Sequence, residues 1–315
     1  MAQFITFPSW IRAEIFPALP IRWYGLMYVV AFTVAYLLIR VQARRGEIAL
    51  DKDETMNVVL YAVFGLIIGG RLFSVLFYDG STYYWTHPHM IFWPFRDGRL
   101  VGLPGMSYHG GLLGATIGCW IYAKRNKTDF LTLADTIAFA SPLGYTFGRL
   151  GNFINGELFG RVSTAPWAIV FPDAPRFSTN YAWVREIADQ VGIAYQSGEL
   201  INLPRHPSQL YEALFEGVLL FLFLWFAIRP KRAKRPAGMG LAWYVISYGT
   251  VRFFIEYLRA PDENLGYIIA LGTESDNIAL FQSALNISLG QIFCLAMIVT
   301  GTIFALLLYH RHKEA

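Results

Sequence analysis

The chain has 315 residues, of which 55% are hydrophobic and 15% charged. Soluble domains carry about 25% charged residues, so a water-facing surface of this size is excluded. The net charge of +4 does not point to nucleic acid, because the basic residues lie in short loops between apolar runs.

A helix needs about 20 mostly apolar residues to cross a bilayer core. In chain order such stretches fall at roughly 21–40, 56–78, 108–124, 131–150, 209–228, 239–258 and 287–309. The first twenty residues mix Arg12, Glu14 and three prolines. That is not the pattern of a cleavable signal peptide, so the first helix is expected to insert uncleaved. The third stretch is short, but Gly110, Gly114 and Gly118 recur every four residues, a spacing that lets helix backbones approach closely.

Basic residues orient the spans, because Lys and Arg concentrate in cytoplasmic loops. The loop after the first span holds Arg40, Arg44, Arg45 and Lys52, and the loop after the third holds Lys124, Arg125 and Lys127. The loop after the fifth holds Arg229, Lys231, Arg232, Lys234 and Arg235, and the tail adds Arg311 and Lys313. All four segments share one side only with seven spans and the N-terminus outside. The expected fold is therefore an all-α integral membrane protein, a bundle of seven transmembrane helices with its C-terminus cytoplasmic. Residues 1–155 form its first part, spans 1–4, with 79–107, rich in Trp, Tyr, His and Pro, as an arm along the outer interface. Residues 156–207 form a small head on the outer side, and 208–315 hold spans 5–7. The cysteines, Cys119 and Cys294, lie in apolar stretches and show neither a disulfide framework nor zinc spacing. They read as buried small hydrophobes, and no metal site is expected.

Ionisable side chains inside spans are costly and mark function by default. Arg71, Arg149, Glu212, Glu216, Arg252 and Glu256 interrupt the apolar stretches, and His109 opens the third. Arg71 is expected to pair with a carboxylate. Arg252 and Glu256, four apart, can pair across one turn. The topology brings Tyr24, His109, Arg149, Glu212, Arg252 and Glu256 to the outer ends or outer portions of five helices. Between Gly148 and Arg161 lie Asn152, Asn155, Glu157 and glycines 151, 156 and 160. Glycines and arginine forks at a membrane boundary suit an anion.

The segments IRWYGLMY, YHGGLLGA, GRLGNFINGELFGR, RHPSQLYEALFEG and VRFFIEYLRAPD follow in that order over residues 21–262. Together they resemble the bacterial prolipoprotein diacylglyceryl transferase family. The resemblance implies transfer of the diacylglyceryl group of phosphatidylglycerol to the lipobox cysteine thiol of a prolipoprotein signal peptide, releasing glycerol phosphate. This is the first step of lipoprotein maturation. It implies a multi-pass protein of the bacterial cytoplasmic (inner) membrane, its site and N-terminus periplasmic, without cofactor. Membrane lipids and the signal peptide are the expected partners.

The matched residues suit that chemistry. Arg149 and Arg252 would hold the phosphodiester bidentately and stabilise the charge growing on the leaving phosphate. A free thiol has a pKa of about 8.5, so a base helps, and His109 is the natural candidate. Glu157 and Glu256 would position the arginines or act as the base instead. Asn152, Asn155 and Tyr24 would bond head-group oxygens, and Gly160 would allow close backbone approach. A transporter for an anionic solute could use the same arginines, but it needs a polar path to the cytoplasmic side. The inner halves of the spans are almost purely apolar, with Asp135 the main exception.

Overall fold

The computed structural model describes residues 4–15, 22–79, 82–96, 99–100, 102, 105–260, 266–272 and 278–314. Ile21, Pro261 and Asp262 of the quoted motifs, and Gly80, Ser81, Asp97, Gly98, Val101, Leu103 and Pro104 of the 79–107 segment, lie outside these.

Helices stand over all seven expected stretches: Trp23–Arg44, Lys52–Phe77, Tyr108–Arg125, Phe130–Ile154, the continuous helical run Ser208–Lys234, Met239–Ile255 and Leu289–Glu314. Four of them, Trp23–Arg44, Lys52–Phe77, Ser208–Lys234 and Leu289–Glu314, are long and apolar enough to cross a membrane. Many of their large apolar side chains are exposed, among them Val29, Phe64, Phe226 and Val299. That surface suits lipid rather than water. The protein is thus predominantly helical and of membrane type.

By internal packing the chain divides into two compact units, Phe32–Ala138 and the combination of Met1–Ala31 with Phe139–Ala315. In the first unit, Asp51 and Glu54 form a capping box at the start of Lys52–Phe77. Ser107 caps Tyr108–Arg125 by accepting from the Gly110 amide at 3.2 Å. These two helices meet along a glycine seam. A methyl on Gly65 would strike the Gly114 carbonyl, one on Gly69 the Gly110 carbonyl, and one on Gly118 the Tyr61 carbonyl. Only glycine permits this approach, as the four-residue spacing predicts.

Arg71, 3% exposed, anchors the segment after Lys52–Phe77. Its Nε donates to the Ile91 carbonyl at 2.6 Å, Nη1 to the Gly105 carbonyl at 3.2 Å and Nη2 to the Tyr84 hydroxyl at 2.8 Å. Its guanidinium lies over the Tyr84 ring. The segment itself folds into a short helix, Tyr83–Thr86, a 3-10 turn, Pro88–Ile91, and a small antiparallel pair of Phe95–Arg96 with Arg99–Leu100.

In the second unit, residues 156–207 build two apolar clusters. Val184 and Ala188 of the helix Ala182–Val191 pack with Val162, Ile201 and Leu203. Gly192 ends that helix in the left-handed conformation, φ 78°. Phe7, Ile169, Phe171 and Ala174 form the other cluster. Here Ile5–Thr6 pairs in parallel with Ile169–Val170.

Candidate functional site

Phe130–Ile154 extends two turns into the glycine-rich run, so 148–154 is helix rather than loop. Its backbone amides there are therefore largely engaged within the helix, and anion contacts fall to side chains. Arg149 and Asn152, three apart, share a face, with Arg149 Nη1 3.5 Å from Asn152 Oδ1. Tyr145, one turn earlier, lies 2.6 Å from Arg149 Nε, and the guanidinium stacks over its ring.

Met239–Ile255 and the residues just after it contribute Arg252, Glu256 and Arg259. The spacing of four places Arg252 and Glu256 on one face, and Arg259 follows beyond the helix end, bridged to Gly160. Arg252 Nη2 pairs with Glu256 Oε2 at 2.7 Å. Ser208–Lys234 supplies Glu212 and Glu216, which are 0% and 1% exposed. This run widens into π turns at Ala213–Leu219 and Phe223–Ile228, a feature frequent near functional sites.

These elements converge on Glu212. Its Oε2 lies 2.7 Å from Arg149 Nε. Its Oε1 lies 3.2 Å from Arg252 Nη1 and 3.5 Å from Arg259 Nη1. Glu216 accepts from Arg252 Nη1 at 3.3 Å and from the Tyr145 hydroxyl at 2.5 Å. The three arginines and three glutamates balance in formal charge. The arginines keep some exposure, 16% for the Arg149 side chain and 14% for Arg252, whereas Glu212 has none.

The loop after Phe130–Ile154 is stitched to the start of Ser208–Lys234. Gln209 Nε2 donates to the Glu157 carbonyl at 2.6 Å, and Ser208 Oγ to the Leu158 carbonyl at 3.1 Å. Leu158 holds a left-handed φ of 55°, a conformation that costs a non-glycine residue about 1–2 kcal/mol. The exposed Glu157 carboxylate accepts from Asn152 Nδ2 at 2.9 Å and Asn155 Nδ2 at 3.3 Å. Tyr24 lies against Gly151, where a methyl would come within 3.2 Å of its ring. Its hydroxyl bonds that of Tyr28 at 2.9 Å.

Gly160 does allow close approach, but to the protein itself. A methyl there would strike the Leu258 carbonyl and come 2.9 Å from His206 Cβ. Arg161, at the far end of the glycine run, is turned inward, its Nη1 donating to the Ile278 and Leu280 carbonyls at 2.9 Å. It is not part of the arginine network.

Tyr24, Arg149, Asn152, Asn155, Glu157, Gly160, Arg252 and Glu256 thus all fall in one unit. His109 falls in the other, exposed in the first turn of Tyr108–Arg125, with Nδ1 3.4 Å from the Tyr78 hydroxyl. The sequence reading missed Tyr145 and Arg259 and left Glu212 without a role. The helical offsets from Arg149 and Arg252 carried the signal for Tyr145 and Arg259.

Between the helices that carry Glu216 and Arg252 runs an apolar groove of about 410 Å³. Its walls include Phe215, Leu219 and Phe223 from one helix and Ile246, Thr250 and Val251 from the next. Among the described residues no group of His, Cys, Asp and Glu is arranged to hold a metal ion.

This fold and site define a multi-pass helical membrane protein with a buried arginine–glutamate network and an apolar groove between two of the helices that carry it. The family model of prolipoprotein diacylglyceryl transferase matches residues 11–307, and the chain belongs to that family. It is 48% identical to the phosphatidylglycerol–prolipoprotein diacylglyceryl transferase of Treponema pallidum, over 98% of this chain and 97% of that protein. The protein of the same name from Treponema denticola is 46% identical over 98% and 96%. That from Chlorobaculum tepidum is 40% identical over 93% and 89%.

Proposed function

We propose that this chain is a transferase that moves the diacylglyceryl group of phosphatidylglycerol to the lipobox cysteine of a prolipoprotein. The observation that carries this reading is the convergence of Arg149 and Arg252 on one carboxylate, Glu212. Two guanidiniums that share one carboxylate can share one phosphodiester, since both anions offer paired oxygens to the fork. Membership of the family and the names of its relatives supply the substrates.

In the reaction the thiol sulfur bonds the terminal glyceryl carbon while that carbon's bond to the phosphate oxygen breaks. The electron pair leaves with glycerol phosphate, and the thiol proton passes to a base or to the solvent. Arg149 and Arg252 stabilise the departing charge, more strongly in the transition state than in the ground state. Tyr24, Asn152 and Asn155 contact the head group, while Glu157 and Glu256 orient its ligands. Gly160 keeps the 156–160 loop seated against His206 and Leu258. His109 serves as the base for the thiol. The apolar groove between the helices of Glu216 and Arg252 receives an acyl chain, so the lipid need not leave hydrocarbon.

In this reading all seven helices cross the bacterial inner membrane, with the N-terminus and the 156–207 head periplasmic and the C-terminus cytoplasmic. The segment 79–107 lies along the outer interface. The basic loops support that orientation.

The test is transfer from labelled phosphatidylglycerol to a lipobox peptide by the purified protein, with a Cys→Ser peptide as control. Label on the Cys peptide alone is expected. An unlabelled Cys peptide rejects the reading.

A further inference from the structure

Glu212 is fully enclosed and touches three guanidiniums. Its oxygens stand within ion-pair distance of guanidiniums that the lipid phosphate needs but accept no hydrogen bond from them, and a carboxylate and a phosphodiester are alike to a guanidinium: one negative charge and two oxygens. Its contacts are uneven, 2.7 Å to Arg149 but 3.2 and 3.5 Å to Arg252 and Arg259. Arg252 has a second, shorter contact at 2.7 Å to Glu256. The Nη1 donors of Arg252 and Arg259 are the ones Glu212 holds less closely.

We infer that Glu212 is a positioning residue that acts as an internal counter-anion. It keeps Arg149, Arg252 and Arg259 converged, and its charge competes with that of the lipid phosphate. This inference rests on the arginines being phosphate ligands, as proposed above. Three arginines against three glutamates are neutral before the lipid arrives, so a monoanionic phosphodiester meets no excess positive charge. A phosphate monoester carries about −1.5 to −2 at neutral pH. As the carbon–oxygen bond breaks, the phosphate therefore gains charge that the carboxylate does not, and the arginines favour it increasingly. The like charge of Glu212 opposes that growing charge and favours release of glycerol phosphate, while its pairing with the guanidiniums keeps them placed for the transition state. After transfer, the same carboxylate helps displace glycerol phosphate.

The test compares glycerol phosphate binding, measured by calorimetry on the purified full chain in detergent, with steady-state transfer. Glu212→Gln keeps the shape and removes the charge. It is expected to bind glycerol phosphate at least about tenfold more tightly, since a like charge is lost from the site. Its kcat should fall while its KM for phosphatidylglycerol stays level or drops. Equal or weaker glycerol phosphate binding, or a raised KM, overturns the inference. Glu212→Asp keeps the charge but draws it back by one methylene. If the Gln variant does not fold, tighter binding by the Asp variant supports the inference and equal or weaker binding overturns it. Absence of binding to the unaltered protein would reject the phosphate role of the arginines, and this inference with it. Binding unchanged by Glu212→Gln would reject only the role of Glu212.

Discussion

Ser288 donates its hydroxyl to Glu256 at 3.3 Å, tying the start of Leu289–Glu314 to the arginine network. Two residues on, Gly290 presses on the same carboxylate, and a methyl there would lie 2.5 Å from Glu256 Oε1. Glu256 is thus held between Arg252 on one side and a helix start on the other.

Gly290→Ala is therefore expected to push Glu256 away from Arg252 and slow transfer. Overpacking of this kind costs about 1–3 kcal/mol. Ser288→Ala removes one hydrogen bond and should cost less. Thermal unfolding in detergent and transfer rates on the same samples check the order; a Gly290→Ala protein as stable and as active as the unaltered chain would contradict it.

Arg252→Lys preserves the charge but cannot reach Glu212, Glu216 and Glu256 together, as the guanidinium does. Transfer should fall by at least about a hundredfold, equivalent to about 2.7 kcal/mol of lost transition-state stabilisation, with a smaller change in melting temperature. Arg252→Ala takes one guanidinium from three buried carboxylates, of which Glu216 and Glu256 lose their arginine partner, and should also destabilise the fold, by about 3–5 kcal/mol. A Lys variant with near-normal turnover would remove the case for a bidentate phosphate ligand.

The arginine network shows what a sequence can and cannot reveal. Arg252 and Glu256 were legible because opposite charges one turn apart in an apolar stretch are costly unless they meet. Glu212 was visible as an anomaly, yet its centrality depends on which faces of three helices meet, and no single helix period encodes that. Tyr145 was hidden because an aromatic in a membrane helix usually packs or anchors. Glycine weakens helix propensity by about 1 kcal/mol per residue, and the expected fourth span stopped at 150. Gly151 fits the helix because Tyr24 packs on it, and the helix persists to Ile154. The glycine seam at Gly110, Gly114 and Gly118 was legible in full, because its spacing has one geometric meaning. Arg161 ends the run from Gly148, and its inward turn was not legible because its partners are carbonyls more than a hundred residues away in sequence.

His206 gives a pH signature separate from catalysis. Its imidazole is half-buried with Nδ1 3.2 Å from the Tyr211 hydroxyl, and burial lowers its pKa. The unfolded chain then binds the proton more readily than the folded one. Stability from this group is full above the ordinary histidine pKa of about 6.5 and is lost as pH falls through the lowered folded value. Melting temperatures measured from about pH 8 to pH 5 should drop more steeply for the unaltered protein than for His206→Gln. Parallel curves would show that the imidazole titrates alike in both states.

His109→Gln should slow transfer by about 10²–10⁴-fold, the usual contribution of a general base, with little change in affinity for phosphatidylglycerol. Single-turnover rates and lipid binding separate the two effects. A loss confined to lipid binding would move His109 from proton transfer to head-group recognition.

The π turns at Ala213–Leu219 and Phe223–Ile228 impose a constraint of their own. Each accommodates a wider loop of backbone than an α-turn. Deleting one residue from either would let it relax to α geometry with the flanking helical pieces close to their present facing, whereas the same deletion in an α stretch would rotate them by about 100° relative to each other. Glu216 sits inside the first of these turns and Glu212 just before it, so relaxation there shifts the one carboxylate against the other. The wider turns thus set how the two glutamates face the arginines, while the exposed apolar face of this stretch should accept many side-chain exchanges.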